Sequence, residues 1–302
     1  MPHRATPSDW FILVILVAVW GASFAMSKEA LRHLDASWVM ALRLAVAALV
    51  LVPYAFIAGP GLRSSAASWG KYSWLAVIGY VVPFFIITWG IYFVSSGVAG
   101  LLMASIPLFM VVLAHFVLAD ERLNIPKSVG FLMGFAGIVI LIGPEALFTF
   151  SLTGDELKGE LAILAGCLCY AVHGVTAKRL GFDHPVKQSA AVCLVAAVLG
   201  VAFAALYHPA GLSGVPLQGF AAVAGLGLFP TAIATLLAYR LMARAGPSFV
   251  AYSNYLVPIF AVLLGAALLS EELHWNILAA LLLVLSGIAI SRIEPRTVGA
   301  PA

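Results

Sequence analysis

Long apolar segments dominate this chain and constrain its fold more than any other feature. Its 302 residues are 63% hydrophobic and only 10% charged, whereas a soluble domain carries about 25% charged residues. So little charge cannot cover a water-facing surface, so we expect the surroundings to be lipid. A helix that crosses a bilayer needs about 20 mostly apolar residues. Ten segments approach this length, at roughly 10–28, 37–58, 72–93, 97–118, 127–143, 159–177, 188–207, 219–241, 248–270 and 275–292.

An internal repeat divides these segments into two sets of five. Pro107 precedes Glu121, and Pro258 precedes Glu272, by the same spacing. Because five is odd, the second copy must enter the membrane from the opposite side. Inverted repeats of this kind are typical of secondary transporters, whose substrate site lies between the copies near the midplane. The sequence predicts an all-α polytopic membrane protein with ten transmembrane helices in two inverted repeats, at 1–143 and 159–292, joined by a linker at 144–158 and followed by a tail at 293–302.

The distribution of basic residues predicts the orientation of the chain. If the N-terminus is cytoplasmic, only Lys28, Arg32 and Lys158 fall outside, while most other lysines and arginines fall inside. Because cytoplasmic loops are enriched in Lys and Arg, we expect both termini and the tail to be cytoplasmic.

The sequence offers no sign of a metal site, a cofactor or an enzyme active site. Cys167, Cys169 and Cys193 lie inside apolar segments, where we expect them to pack as small apolar residues. No metalloprotease motif or nucleophile elbow is present. The pI of about 8.8 arises from scattered bases rather than a basic run, so no nucleic-acid partner is expected.

Polar and aromatic residues inside the spans are the candidates for a substrate site, because they are costly in lipid and usually face a cavity or a partner. Helical spacing places many of them on shared faces at matching positions of the two copies. The alternative is that the aromatic residues pack between helices or at the interfaces. The predicted substrate-binding residues are Trp20, Ser23, Phe24, Tyr80, Phe84, Thr88, Trp89, Tyr92, Met103, Tyr170, His173, Thr235, Tyr239, Tyr252, Asn254 and Tyr255.

Charged residues within or beside the spans have two interpretations. Arg43 is the one basic residue well inside a span, and it either clamps helix-end carbonyls or holds a substrate carboxylate, the clamp being preferred. Two acidic pairs, which end in Glu121 and Glu272, close the fourth and ninth spans. We expect a structural or gating role for both pairs.

Four prolines inside spans correspond between the copies. Pro83 matches Pro230, and Pro107 matches Pro258. Proline removes a backbone hydrogen bond and kinks a helix. The paired positions are therefore either hinges for a rocking motion or static bends.

These patterns together resemble the drug/metabolite transporter superfamily, in its ten-helix EamA branch. The resemblance rests on Trp20-Gly21-Ala22-Ser23-Phe24, on Arg43-Leu44-Ala45-Val46-Ala47-Ala48, and on the duplicated proline-to-glutamate spacing. Within that branch, the chain is similar to bacterial aromatic amino acid exporters of the YddG type. The resemblance implies a multi-pass carrier of the bacterial inner membrane that exports amino acids, other metabolites or drugs.

The leading functional interpretation is a metabolite exporter for aromatic or other neutral amino acids, working by alternating access. An efflux antiporter for multiple drugs or for other metabolites is the alternative. A proton-coupled cation exporter needs a carboxylate embedded in the membrane, and no Asp or Glu lies in the middle of any predicted span. Facilitated transport is therefore the expectation. Since one chain holds two complete copies, a monomer is sufficient.

Overall fold

The computed structural model describes residues 6–117, 125–142, 154–181, 184–209, 211–245, 247–250 and 252–291. These residues form ten apolar helices and no strand. Seven helices are long and apolar enough to cross a membrane, and three shorter helices are also apolar. The helices are α1 (Pro7–Ala30), α2 (Ala36–Ala58), α3 (Ala66–Gly90), α4 (Ser96–Val117), α5 (Ile125–Ile142), α6 (Asp155–Leu180), α7 (Pro185–Tyr207), α8 (Leu217–Leu226, continued by Gly227–Ile233 and Ala234–Ala245), α9 (Ser253–Leu269) and α10 (Trp275–Ser291).

The two halves pack with a pseudo-two-fold pattern. Helix α1 contacts α8 and α9, and α6 makes the matching contacts with α3 and α4. Helix α2 contacts α8 as α7 contacts α3, and the pairs α2–α7, α4–α9 and α5–α10 each join a helix to its own counterpart. Because each half has five helices, this relation inverts one half against the other. The chain is thus a polytopic membrane protein of two inverted five-helix repeats, as the sequence predicts.

Helices α5 and α10 pack through glycines. A side chain at Gly287 would overlap the backbone of Gly130 and Gly134, and one at Gly137 would crowd Val284. Without a hydrophobic force between helices in lipid, such close backbone approach is a main source of attraction.

Two helices contain a π-helical turn at or beside the matched prolines Pro83 and Pro230. Helix α3 has a π-helical turn at Val77–Val81, just before Pro83, and α8 has one at Gly227–Ile233 that contains Pro230. Proline lacks the N–H needed for a regular helical bond, and π-helical turns are frequent at functional sites. The π-helical turns therefore lie at corresponding places in the two halves.

The other proline pair behaves asymmetrically. Helix α4 is interrupted between Ser96–Met103 and Ile106–Val117, so that Pro107 falls in the first turn of its second segment. Pro258 instead lies inside the uninterrupted helix α9, which follows the short helix Pro247–Val250. The two corresponding prolines therefore occupy different backbone environments.

Candidate substrate cavity

A cavity of about 430 Å³ lies between the two halves. Helices α1, α2, α3 and α4 line it from the first half, and α6, α8 and α9 line it from the second. Of the predicted substrate-binding residues, those in its wall are Trp20, Ser23, Phe24, Tyr80, Phe84, Thr88, Met103, Tyr170, His173, Thr235 and Asn254.

One face of α1 contributes Trp20, Ser23, Phe24 and Ser27 to this wall. The Ser23 hydroxyl donates to the carbonyl of Trp20 at 2.6 Å, and the Ser27 hydroxyl donates to that of Ser23 at 2.7 Å. The indole Nε1 of Trp20 donates to the carbonyl of Pro230 at 3.2 Å. This bond ties α1 to the π-helical turn of α8.

Aromatic rings from α3 and α6 form another part of the wall. The ring centroid of Tyr80 lies 5.6 Å from that of Phe84 and 6.0 Å from that of His173, and Phe84 lies 6.2 Å from Tyr170. Aromatic pairs at these separations stabilise one another beyond their buried area. The wall is therefore a connected set of rings contributed by both halves.

The orientation of His173 depends on a glycine of α3. Its Nδ1 lies 3.2 Å from the carbonyl of Leu75, and since a carbonyl can only accept, Nδ1 carries the hydrogen. In the neutral ring, Nε2 is then a hydrogen-bond acceptor. A Cβ atom at Gly79 would overlap this imidazole, so Gly79 makes room for it.

Arg43 of α2 reaches the cavity and contacts both halves. Its Nε donates to the Thr231 hydroxyl at 2.8 Å, and its guanidinium carbon lies 4.4 Å from the centre of the Phe84 ring. The Thr231 hydroxyl in turn donates to the carbonyl of Leu226 at 2.9 Å. The contacts found for Arg43 are thus a hydroxyl and an aromatic face, rather than the helix-end carbonyls expected of a clamp.

Four predicted residues lie outside the cavity wall. Trp89 packs edge-on against Phe93, and the Tyr239 hydroxyl bonds to that of Ser189 in α7. Tyr92 and Tyr252 both lie beyond the ends of regular helices.

Tyr92 and Tyr252 each contact residues outside the cavity wall. Tyr92 follows the end of α3 and donates to the carbonyl of Leu34 at 3.2 Å. Burial, together with the nearby Asp35 carboxylate, raises the pKa of Tyr92 to about 12, so it stays a donor at neutral pH. Tyr252 precedes α9 and stacks on Trp10. The side chain of Tyr255 is outside the described residues.

Among the prolines, Pro230 and Pro258 line the cavity, while Pro83 and Pro107 do not.

Several further residues complete the wall. Ser27 and Thr231 each lie one helical turn from a predicted residue, so helical periodicity indicates that both belong to the wall. Gly79 carries no such signal, because its role depends on a side chain from another helix.

The acidic residue that joins helices is Glu271 rather than its neighbour Glu272. The side chain of Glu271 is 11% exposed and pairs with Lys28 at 3.5 Å, whereas that of Glu272 is 83% exposed and pairs only with His274 among the described residues. Ser270, in the left-handed region at φ 54°, ends α9 and turns Glu271 toward the start of α4. Glu121 lies outside the described residues.

A cavity between two inverted repeats is the arrangement typical of a membrane transporter. The profile of the EamA-like transporter family matches residues 9–143 and again residues 157–293. The chain therefore belongs to the EamA-like transporter family, and the family indicates transport of small molecules rather than catalysis.

Relatives from distant organisms share this class. The uncharacterized transporter YoaV of Bacillus subtilis is 25% identical over 91% of this chain and 94% of its own length. An uncharacterized transporter of Archaeoglobus fulgidus is 26% identical over 93% of this chain and 97% of its own. One solved crystal structure aligns with 97% of this chain and all of its own, at a TM-score of 0.69 and 21% identity. That likeness concerns the fold.

Proposed function

We propose that this protein is an exporter of small metabolites, with aromatic or other neutral amino acids as its leading substrates. The observation that supports the proposal is the cavity wall, in which Tyr80 and Phe84 of one half meet Tyr170 and His173 of the other. Aromatic walls bury an apolar substrate, while a few polar groups orient it.

Alternating access is the proposed mechanism. A site between inverted halves has two near-equivalent packings, which open it to opposite sides of the membrane. The π-helical turns of α3 and α8 lie in corresponding helices at the cavity and are the proposed flexing points. The two halves lie in one chain, so a monomer suffices.

We place the protein in the bacterial inner membrane with both termini in the cytoplasm. The positive residues of the short loops support this orientation. Transport is proposed to be facilitative, because no Asp or Glu is among the described residues of the cavity wall.

Uptake into proteoliposomes tests the proposal. A panel of labelled aromatic, aliphatic and basic amino acids should show saturable uptake for the aromatic and neutral members. Phe84→Ala should weaken it, whereas Phe56→Ala, which changes a ring that is 65% exposed on α2, should not. If no amino acid shows saturable uptake, this substrate class is wrong.

A further inference from the structure

The formal charge that lines the cavity is positive. Arg43 is the one charged side chain among the described residues of the wall, and no carboxylate stands opposite it. A charge held within the membrane without a partner is expensive, and such residues usually mark a substrate or ion pathway. Arg43 therefore needs a negatively charged partner, and the described part of the protein does not supply one.

The geometry of Arg43 leaves one part of the guanidinium for such a partner. The Nε–H is used by Thr231, and the guanidinium carbon lies over the Phe84 ring. No ion pair joins Arg43 to a described acidic residue. The two terminal nitrogens carry four further N–H groups in a planar fork, which matches a carboxylate with two parallel hydrogen bonds.

The neighbouring rings suit the rest of such a ligand. Phe84 and Tyr170 lie within one connected set of rings, so a carboxylate bound to Arg43 would hold its attached body against them. By contrast, no acidic side chain in the described wall would neutralise a substrate ammonium group. Asn254 offers only a neutral amide.

We infer that Arg43 is the anchor for the carboxylate of the substrate, and that the cavity takes organic carboxylates with an aromatic or apolar body whether or not they carry an ammonium group. This inference rests on the proposed transport function and narrows its substrate class. Thr231 is the positioning residue, since its hydroxyl accepts from Nε and fixes the direction of the fork.

Ligand-dependent thermal stabilisation of the purified full chain tests this, because binding to the folded state raises its apparent stability. Four matched probes are phenylalanine, 3-phenylpropionate, 3-phenylpropionamide and 2-phenylethylamine. We expect 3-phenylpropionate to bind at least as tightly as phenylalanine and about 10- to 100-fold more tightly than the amide, as the loss of charged hydrogen bonds implies. The amine should give no shift.

Variants separate the anchor from a structural role. Arg43→Gln should abolish the preference for 3-phenylpropionate over its amide, and Arg43→Lys should restore part of it. Arg240→Gln, the same change at an exposed residue of α8, should leave the preference intact. If Arg43→Gln does not fold, the wild-type comparison of carboxylate with amide still decides.

Three results would overturn the inference: equal binding of carboxylate and amide, stabilisation by the amine, or no shift with any probe. The uptake panel distinguishes these failures from failure of the proposed function. Saturable amino acid uptake combined with equal binding of carboxylate and amide would reject only the anchor. Absence of uptake would reject the amino acid substrates themselves.

Discussion

Glu271 holds the first turn of α4 by accepting hydrogen bonds from the backbone N–H and the hydroxyl of Ser96, at 2.7 and 2.9 Å. The N–H of Gly97 donates to the same carboxylate at 3.0 Å, and Lys28 of α1 lies beside it. A carboxylate at a helix N-terminus satisfies N–H groups that have no partner within the helix. One side chain thus joins the ends of α1, α4 and α9.

The first prediction concerns this junction. Glu271→Gln should lower the free energy of unfolding by about 1–3 kcal/mol, because an amide has one acceptor oxygen for three donors. Thermal unfolding in detergent measures the change. Glu272→Gln, at the exposed neighbour, should alter stability by less than about 0.5 kcal/mol. If both variants changed the free energy of unfolding equally, the Glu271 contacts would contribute nothing specific to stability.

The distinction between these glutamates illustrates a limit of sequence reasoning. The acidic pair at the end of α9 is visible in the sequence, and a structural role for it could be predicted. Which member faces the protein depends on Ser270, which ends α9 in the left-handed conformation just before the acidic pair. Serine rarely adopts that conformation, so nothing in the sequence indicates it.

A second prediction concerns the space that Gly79 leaves for His173. Gly79→Ala should weaken substrate binding by about 10-fold or more, because the added methyl group displaces the imidazole and overpacks the wall. Binding is measured by ligand-dependent thermal shift. Gly70→Ala is the matched control in the same helix, since a methyl group there would meet no atom within 4 Å. A normal affinity in Gly79→Ala would remove His173 from the site.

A third prediction tests the positioning role of Thr231. Thr231→Val keeps the shape of the side chain and removes the acceptor for the Nε–H of Arg43, so carboxylate affinity should fall by about 3- to 10-fold. Competition against labelled substrate in proteoliposomes measures this loss. Thr176→Val changes a threonine whose hydroxyl, among the described residues, bonds only to carbonyls of its own helix, and affinity should be unchanged. A loss of the same size in both variants would contradict a specific role for Thr231.

A fourth prediction concerns energy coupling. Collapse of the proton gradient with an ionophore should leave the initial rate of transport unchanged, because the described cavity wall holds no carboxylate that could exchange a proton for substrate. Uptake into proteoliposomes with and without an imposed pH gradient measures the effect. Transport that strictly requires the gradient would refute facilitated diffusion.

Much of the architecture could be predicted, because lipid imposes simple rules. Apolar length identifies the spans, and an odd number of spans in each repeat forces their inversion. The face of α1 that includes Trp20 and Ser23 was also predictable, since α1 is a regular helix and residues three and four apart share a side.

Several predicted residues that lie outside the wall could not be placed with the same rule, because periodicity applies only within regular helices. Tyr92 and Tyr252 lie beyond helix ends, and Tyr239 lies after the π-helical turn of α8, where its hydroxyl meets α7. Gly79 gains its role from His173 in another helix. These relationships arise from tertiary packing rather than from spacing along one segment.

Counterflow in proteoliposomes tests the central claim most directly, namely that one cavity between the two halves carries substrate across the membrane. Vesicles preloaded with unlabelled substrate should accumulate labelled substrate from outside transiently, and Arg43→Gln should reduce that accumulation while Arg240→Gln should not. Uptake at the rate of protein-free vesicles, with no saturation and no acceleration by internal substrate, would contradict this claim.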